Sequence, residues 1–182
     1  MDTDWTDLAF ARLKRNKRLL FLPNDPFLQE LALALGGQDR RTVILWALGL
    51  AAESVARLEA RHPGDRRPRA ALDAAWLWAR GRLKMPVAQR AILDCHAMAK
   101  DVTTAADAAL CHAVGQACGT VHTAGHAMGY PVYELTAIVR ALGLDEGRAS
   151  VEARRQAYLV RLTQARAACG QDAGPWAHFL LR

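Results

Sequence analysis

Within Cys111–Tyr133 (CHAVGQACGTVHTAGHAMGYPVY), the residues His112, Gly115, Gly119, His122, His126, Gly129 and Tyr133 recur at alternating intervals of three and four. On a helix such positions share one face. The stripe carries no large aliphatic side chain, only glycine, imidazole and a closing tyrosine. The opposite stripe, Leu110, Val114, Ala117, Val121, Ala124 and Met128, is ordinarily aliphatic. A helix small and polar on one side and aliphatic on the other is expected to be covered on both. It therefore predicts a central helix, with Gly115 and Gly119 where a neighbouring backbone approaches most closely.

The rest of the chain also reads as helix. Thr3 or Asp4 can cap a first helix running to about Arg18. Asn24-Asp25-Pro26 is a start signal and Gly36-Gly37 a stop. Asp39 opens a strongly apolar helix that ends at His62-Pro63-Gly64, and Pro68 and Pro86 begin two more. Asp101 through Thr104 caps the central helix, which Pro131 kinks or restarts and Gly143 ends. A last long helix runs from about Asp145 to Ala168, closed by Gly170, before a short C-terminal turn with Trp176 and Phe179. No segment alternates with period two and no Asn-Gly or Asp-Gly hairpin turn occurs. The expectation is an all-α antiparallel helical bundle or array, its central Gly/Ala/His-rich helix kinked near Pro131.

At 182 residues the chain suits a single helical domain, residues 1–182. A hydrophobic share of 52% beside 23% charged residues is that of a globular chain rather than a disordered one. No apolar run is long enough to span a bilayer, and MDTDWTD is acidic where a signal peptide would be basic. These features predict a cytoplasmic protein with no membrane partner. The cysteines Cys95, Cys111, Cys118 and Cys169 include no CxxC pair. On one helix Cys111 and Cys118 would lie roughly 10.5 Å apart along the axis, too far for a disulfide. They read as reduced, buried thiols.

Two blocks together carry a family resemblance. The first is Trp46-Ala47, Ala52-Glu53 and Val55, followed by Pro63, Asp65, Arg67-Pro68-Arg69, Ala71-Leu72, Trp78-Ala79 and Gly81. The second is Gly115, Thr120, His122, His126-Ala127 and Tyr133. In this order and spacing, over about Arg40–Leu142, the chain resembles the Imm-five-like immunity proteins of bacterial polymorphic-toxin systems. The resemblance implies an all-helical fold and a role in neutralising a toxin by binding it, and it implies no catalytic residues.

Three groups are candidate sites. His122 and His126 form HxxxH, which on a helix places two imidazoles on one side. HTAGH lacks the glutamate of a zinc-protease helix, so a metal there would need ligands from other helices, such as His96, Cys95 or Asp94. The favoured expectation is no metal and no cofactor, with His112, His122, His126 and Tyr133 a structural polar row. Asp65, Arg66, Arg67 and Arg69 surround Pro68 at a helix start and could meet an acidic partner loop. The alternative for this group is a cap at Asp65 with an arginine paired to Glu53 or Asp73. The basic run Arg12, Lys14, Arg15, Lys17 and Arg18 could meet phosphate, but no aromatic residues interleave it and no nucleic-acid motif accompanies it. There is no serine motif with a placed base, no phosphate loop and no paired carboxylates at di-metal spacing. The residues thus point to a non-catalytic protein-binding module that occludes a toxin domain. A metal-dependent bundle enzyme using His122, His126 and His96 is the first alternative. Nucleic-acid binding through the basic N-terminal helix is the second. Self-association to a homo-oligomer is left open.

Overall fold

The structure, a computed structural model, describes residues 4–181. Among them the secondary structure consists of eight α-helices and two 3-10 turns, without a strand. The helices are α1 (Trp5–Lys14), α2 (Pro26–Gly36), α3 (Arg40–Arg61), α4 (Arg67–Ala79), α5 (Met85–Met98), α6 (Ala105–Gly119), α7 (Gly129–Leu142) and α8 (Leu144–Gln171). The 3-10 turns are Ala124–Met128, between α6 and α7, and His178–Leu180 at the C-terminal end.

The ends follow from local chemistry. Asp4 accepts from the Thr6 amide at the head of α1, and Thr3 lies outside the described residues. Asp39 and Thr104 cap α3 and α6 with side-chain acceptors for otherwise orphaned amides. Proline stands in the first turn of α2, α4 and α5, where the missing N–H costs nothing. Gly143, at φ +84°, separates α7 from α8. Two boundaries differ from expectation. Helix α1 stops at Lys14, before a turn with Asn16 at φ +51°. The basic run is therefore not one helix face. Arg12 turns inward to Asp25, at 2.5 and 2.7 Å, while Arg15, Lys17 and Arg18 lie in the turn. Gly170 sits within the last turn of α8, which runs on to Gln171.

The larger correction concerns the central helix. Helix α6 ends at Gly119, twelve residues before Pro131, and α7 restarts at Gly129 with Pro131 in its first turn. The two helices fold back on each other as an antiparallel hairpin, with Ala106 and Leu110 opposite Ala137 and Ala141 around one surface cleft. In one straight helix His112 and Tyr133 would stand about 30 Å apart; their ring centroids are 5.2 Å apart. The carbonyls freed where α6 stops are taken up by Arg40 at the head of α3, which donates to Val121 O and His122 O at 3.1 Å each.

Helix α6 is nevertheless the centre of the array, packed against α3, α4, α5 and α7. Its aliphatic side, Leu110, Val114 and Ala117, continuing to Val121, is buried. Buried apolar residues of all eight helices join one core, where the Trp46 indole donates to Tyr158 O at 2.9 Å. That core also contains charge. Glu134 is fully buried and accepts from Arg154 Nε and Nη2 at 2.8 and 2.9 Å and from Tyr158 OH at 2.8 Å. Arg154 reaches on to Glu53 at 2.8 Å, and Arg161 closes on the other Glu53 oxygen. Glu134 and Glu53 are thus joined through one arginine. Burial opposes the charge on Arg154, but its contact with Glu134 dominates and raises its pKa. No helix among the described residues is long and apolar enough to cross a membrane.

Candidate functional site, a glycine-floored imidazole groove

The glycines of the α6 stripe do not admit a neighbouring backbone. They are seats for flat polar side chains. A Cβ on Gly115 would stand 2.5 Å from His96 Cε1 and 2.7 Å from Cδ2, so the His96 imidazole from α5 lies directly on the α6 backbone. At Gly119 the neighbour is the His126 ring at 3.4 Å, and at Gly129 it is the Gln116 carboxamide, with Cδ at 2.8 Å. Gln116 Oε1 in turn accepts from His126 Nδ1 at 2.9 Å. His122 is exposed on the turn after α6 and stacks on the Trp78 indole of α4, centroids 5.9 Å apart at 21°.

These groups enclose a groove of about 240 Å³ between α4, α5, α6 and the first 3-10 turn. Its walls are Trp78, Met85, Gln89, Ile92 and Leu93 on one side and His96, Gln116, His122 and His126 on the other, over a floor of Gly115 and Gly119. Two apolar residues of its α5 wall, Met85 and Leu93, are 42% and 54% exposed. At the other end Phe179 from the C-terminal segment packs on Trp78, with Arg40 over its outer face.

The protonation of the groove is fixed from outside it. Arg18 donates to His112 Nε2, and a guanidinium can only donate, so that nitrogen must be the acceptor. Burial first, then the charge of Arg18, then His96 push the His112 pKa down to about 4, so the ring is neutral near neutral pH. Its proton therefore sits on Nδ1, which donates to His96 Nδ1 at 2.8 Å. His96 is itself held below the ordinary histidine range, chiefly by burial, and must carry its proton on Nε2. The sequence Arg18–His112–His96 thus leaves the His96 proton on Nε2, the ring atom nearest Gly115.

The structure divides the expected polar row. His122 and His126 line the groove, and His112 and Tyr133 line a second cavity farther along the same face of α6, toward its N-terminal end. His96, bonded to His112, stands between the two. The HxxxH reading fails as helix geometry, because His122 lies in the turn and His126 in the 3-10 segment. Among the described residues no group of three or more His, Cys, Asp and Glu side chains is placed to hold a metal ion. All four cysteines are free and buried. Burial pushes the thiols of Cys95, Cys111 and Cys118 up, Cys111 to about 12, so they are inert at neutral pH.

At the other candidate cluster, Asp65 accepts from the Arg67 amide at 3.0 Å, and the Arg67 side chain grips Asp65 at 2.6 Å and Asp101 at 2.7 Å. Arg69 pairs with Glu59 at 2.8 Å rather than with Glu53 or Asp73. Arg66 is exposed and forms no ion pair among the described residues. Of the arginines singled out here, only Arg66 has charge free for a partner.

With this geometry in hand, a sequence model described as Imm-5 like putative immunity protein matches residues 33–165. The chain belongs to this family. The match runs from the last turn of α2 through most of α8, wider than the two motif blocks. Every groove residue of this Imm-5 like protein falls inside it, while the basic segment Lys14–Arg18 falls outside. No curated protein and no solved structure gives a significant match.

The groove was only half legible in the sequence. His122, His126 and the glycines stood out, and so did His96 as a candidate partner of the two histidines, but its seat on Gly115 and the α5 wall did not. The signal for the wall was Leu93, off the buried stripe of Ala88, Ile92 and Cys95.

Proposed function

We propose that this Imm-5 like protein is a non-catalytic immunity protein that neutralises a toxin domain by direct binding, with the groove-bearing face of the α4–α5 hairpin as its contact surface. What carries the reading is the family match together with the position of the groove wholly inside the matched residues. Physical chemistry supports the choice of face. An apolar rim around a pocket with a few fixed polar groups is the usual anatomy of a recognition site. Met85 and Leu93 form the rim, and the His96, His122 and His126 imidazoles supply the directional groups. Occlusion requires no chemistry from the immunity protein. The partner inserts a side chain between Leu93 and His126, and the surrounding helices shield the toxin's own site.

The test is co-expression with a toxin domain encoded beside this gene, read as survival and as pull-down of the complex. The unaltered chain should rescue growth. Leu93→Asp and Met85→Asp, both at exposed positions, should abolish rescue while melting within about 2 °C of the parent, since exposed substitutions rarely exceed about 0.5 kcal/mol. Arg66→Glu should slow association at low salt, because its charge is uncommitted. A toxin that stays fully active in the presence of excess protein refutes the immunity reading. Full rescue by the Leu93 and Met85 variants refutes the face.

A further inference from the structure

Along the same face of α6, toward its N-terminal end from the groove, lies a second cavity of about 250 Å³, whose walls include Arg18, His112, Tyr133 and Arg140 against the first turns of α6. Elsewhere this fold matches guanidinium with carboxylate: Arg12 with Asp25, Arg80 with Asp172, Arg154 with Glu134, Arg155 with Glu30. Here two guanidiniums face one cavity that no carboxylate lines. Arg18 commits one bond to His112 Nε2, and Arg140 one bond to Lys17 O at 2.9 Å. Each guanidinium has five N–H donors, so most remain free. The Tyr133 ring is held against His112 and under Arg18, 5.8 Å from its guanidinium carbon, and its hydroxyl has no partner within the described residues. Lys14, Arg15 and Lys17 in the adjoining turn also form no ion pair there, so the local field is uniformly positive.

We propose that this cavity is an oxyanion site, in which Arg18 and Arg140 hold one carboxylate or phosphate group and Tyr133 donates to it through its hydroxyl. Planar guanidinium forks suit such groups because they offer paired parallel donors. The size argues for a single anionic group: sites for drug-sized ligands occupy about 300–1,000 Å³, and this cavity is smaller. Arg18 lies outside the residues matched by the family, so the inference concerns this chain and goes beyond the immunity reading.

The experiment uses the full chain alone, without any toxin, so its outcome is independent of that reading. Inorganic phosphate and an acidic hexaglutamate peptide are titrated separately at constant ionic strength set by chloride. Binding is followed by the arginine Nε–H and histidine ring nitrogen resonances. The expected result is a saturable shift of Arg18, Arg140 and His112 signals with at least one of the two anions. Affinity should fall at least tenfold in Arg18→Gln and in Arg140→Gln, and severalfold in Tyr133→Phe, which removes only an oxygen and tests the site even if an arginine variant folds poorly. A stronger response to phosphate identifies a free ion as the source, and a stronger response to the peptide identifies a protein carboxylate. No saturable response to either anion, or equal responses in all three variants, overturns the proposal.

Discussion

Gly115→Ala is the sharpest probe of the groove, because two effects of known sign oppose each other there. In the middle of a helix Ala is favoured over Gly by about 0.5–1 kcal/mol. At this position the new methyl would stand 2.5 Å from His96 Cε1, whereas carbon atoms rest at about 3.5–4.0 Å. The ring must move by about 1 Å. The open groove beside it lets the imidazole swing outward without distorting α6, but a 2.8 Å bond to His112 cannot survive the move. Overpacking of this kind costs about 1–3 kcal/mol, and the lost bond about 0.5–1.5 kcal/mol more. The net expectation is a loss of about 2 kcal/mol, or about 4–8 °C for a chain this long. In a His96→Ala background the obstacle is gone, and the same substitution should stabilise by about 0.5–1 kcal/mol. Urea unfolding of the four proteins gives the coupling energy, expected at about 2–3 kcal/mol. Gly119→Ala, whose methyl would meet His126 at an ordinary 3.4 Å, serves as the control and should be neutral or stabilising. A stabilising Gly115→Ala in the parent, or coupling below about 0.5 kcal/mol, would refute the seating of His96 on this glycine.

Two further expectations concern charge. Arg154→Met strands the fully buried Glu134 with only Tyr158 and the half-exposed Arg57, at 3.3 Å, for company; removal of one partner from a buried pair costs about 3–5 kcal/mol, the residual contacts favouring the low end. Glu134→Leu with Arg154→Met should be more stable than Arg154→Met alone in chemical denaturation, and equal losses would contradict the pairing. The second is a pH effect. His112 titrates near 4 in the folded chain against about 6.5 unfolded, so the unfolded state binds more protons between those values. Its contribution is full above pH 6.5 and is lost as pH falls toward 4; a melting series should show this slope, flattened in His112→Asn.

Much of the fold was legible because its signals are local. Pro26, Pro68 and Pro86 fix helix starts through φ and a missing donor, and Asp39 and Thr104 fix two more through side-chain acceptors. The family resemblance was visible too, because its motif blocks lie in the middle helices. The break after Gly119 was not. The three-and-four periodicity runs unbroken across it because the residues on either side of the hairpin face the same seam. His112 and Tyr133 therefore satisfy the pattern of one long helix while meeting across two. The same ambiguity hid the seat of His96 on Gly115, which depends on how α5 packs against α6 and on nothing in its own neighbourhood. Glu134 and Arg154, twenty residues apart on α7 and α8, likewise become a pair only once those helices lie side by side.

The glycine seats carry one more consequence for function. Gly115 and Gly129 each forgo the helix propensity that alanine would supply, about 0.5–1 kcal/mol apiece, and seat polar groups where an apolar contact would serve stability better. A half-buried imidazole pair contributes only about 0.5–1.5 kcal/mol through its hydrogen bond, so the arrangement as a whole gains the fold little or nothing. Replacing His96 with leucine, with the glycines kept, should therefore give a protein about as stable as the parent. The same variant loses the His96 imidazole from the groove. If the groove is the contact face, that variant melts close to the parent yet fails to protect against the toxin. Protection retained by this variant would place the interface elsewhere, since the groove would then offer a partner no imidazole at position 96.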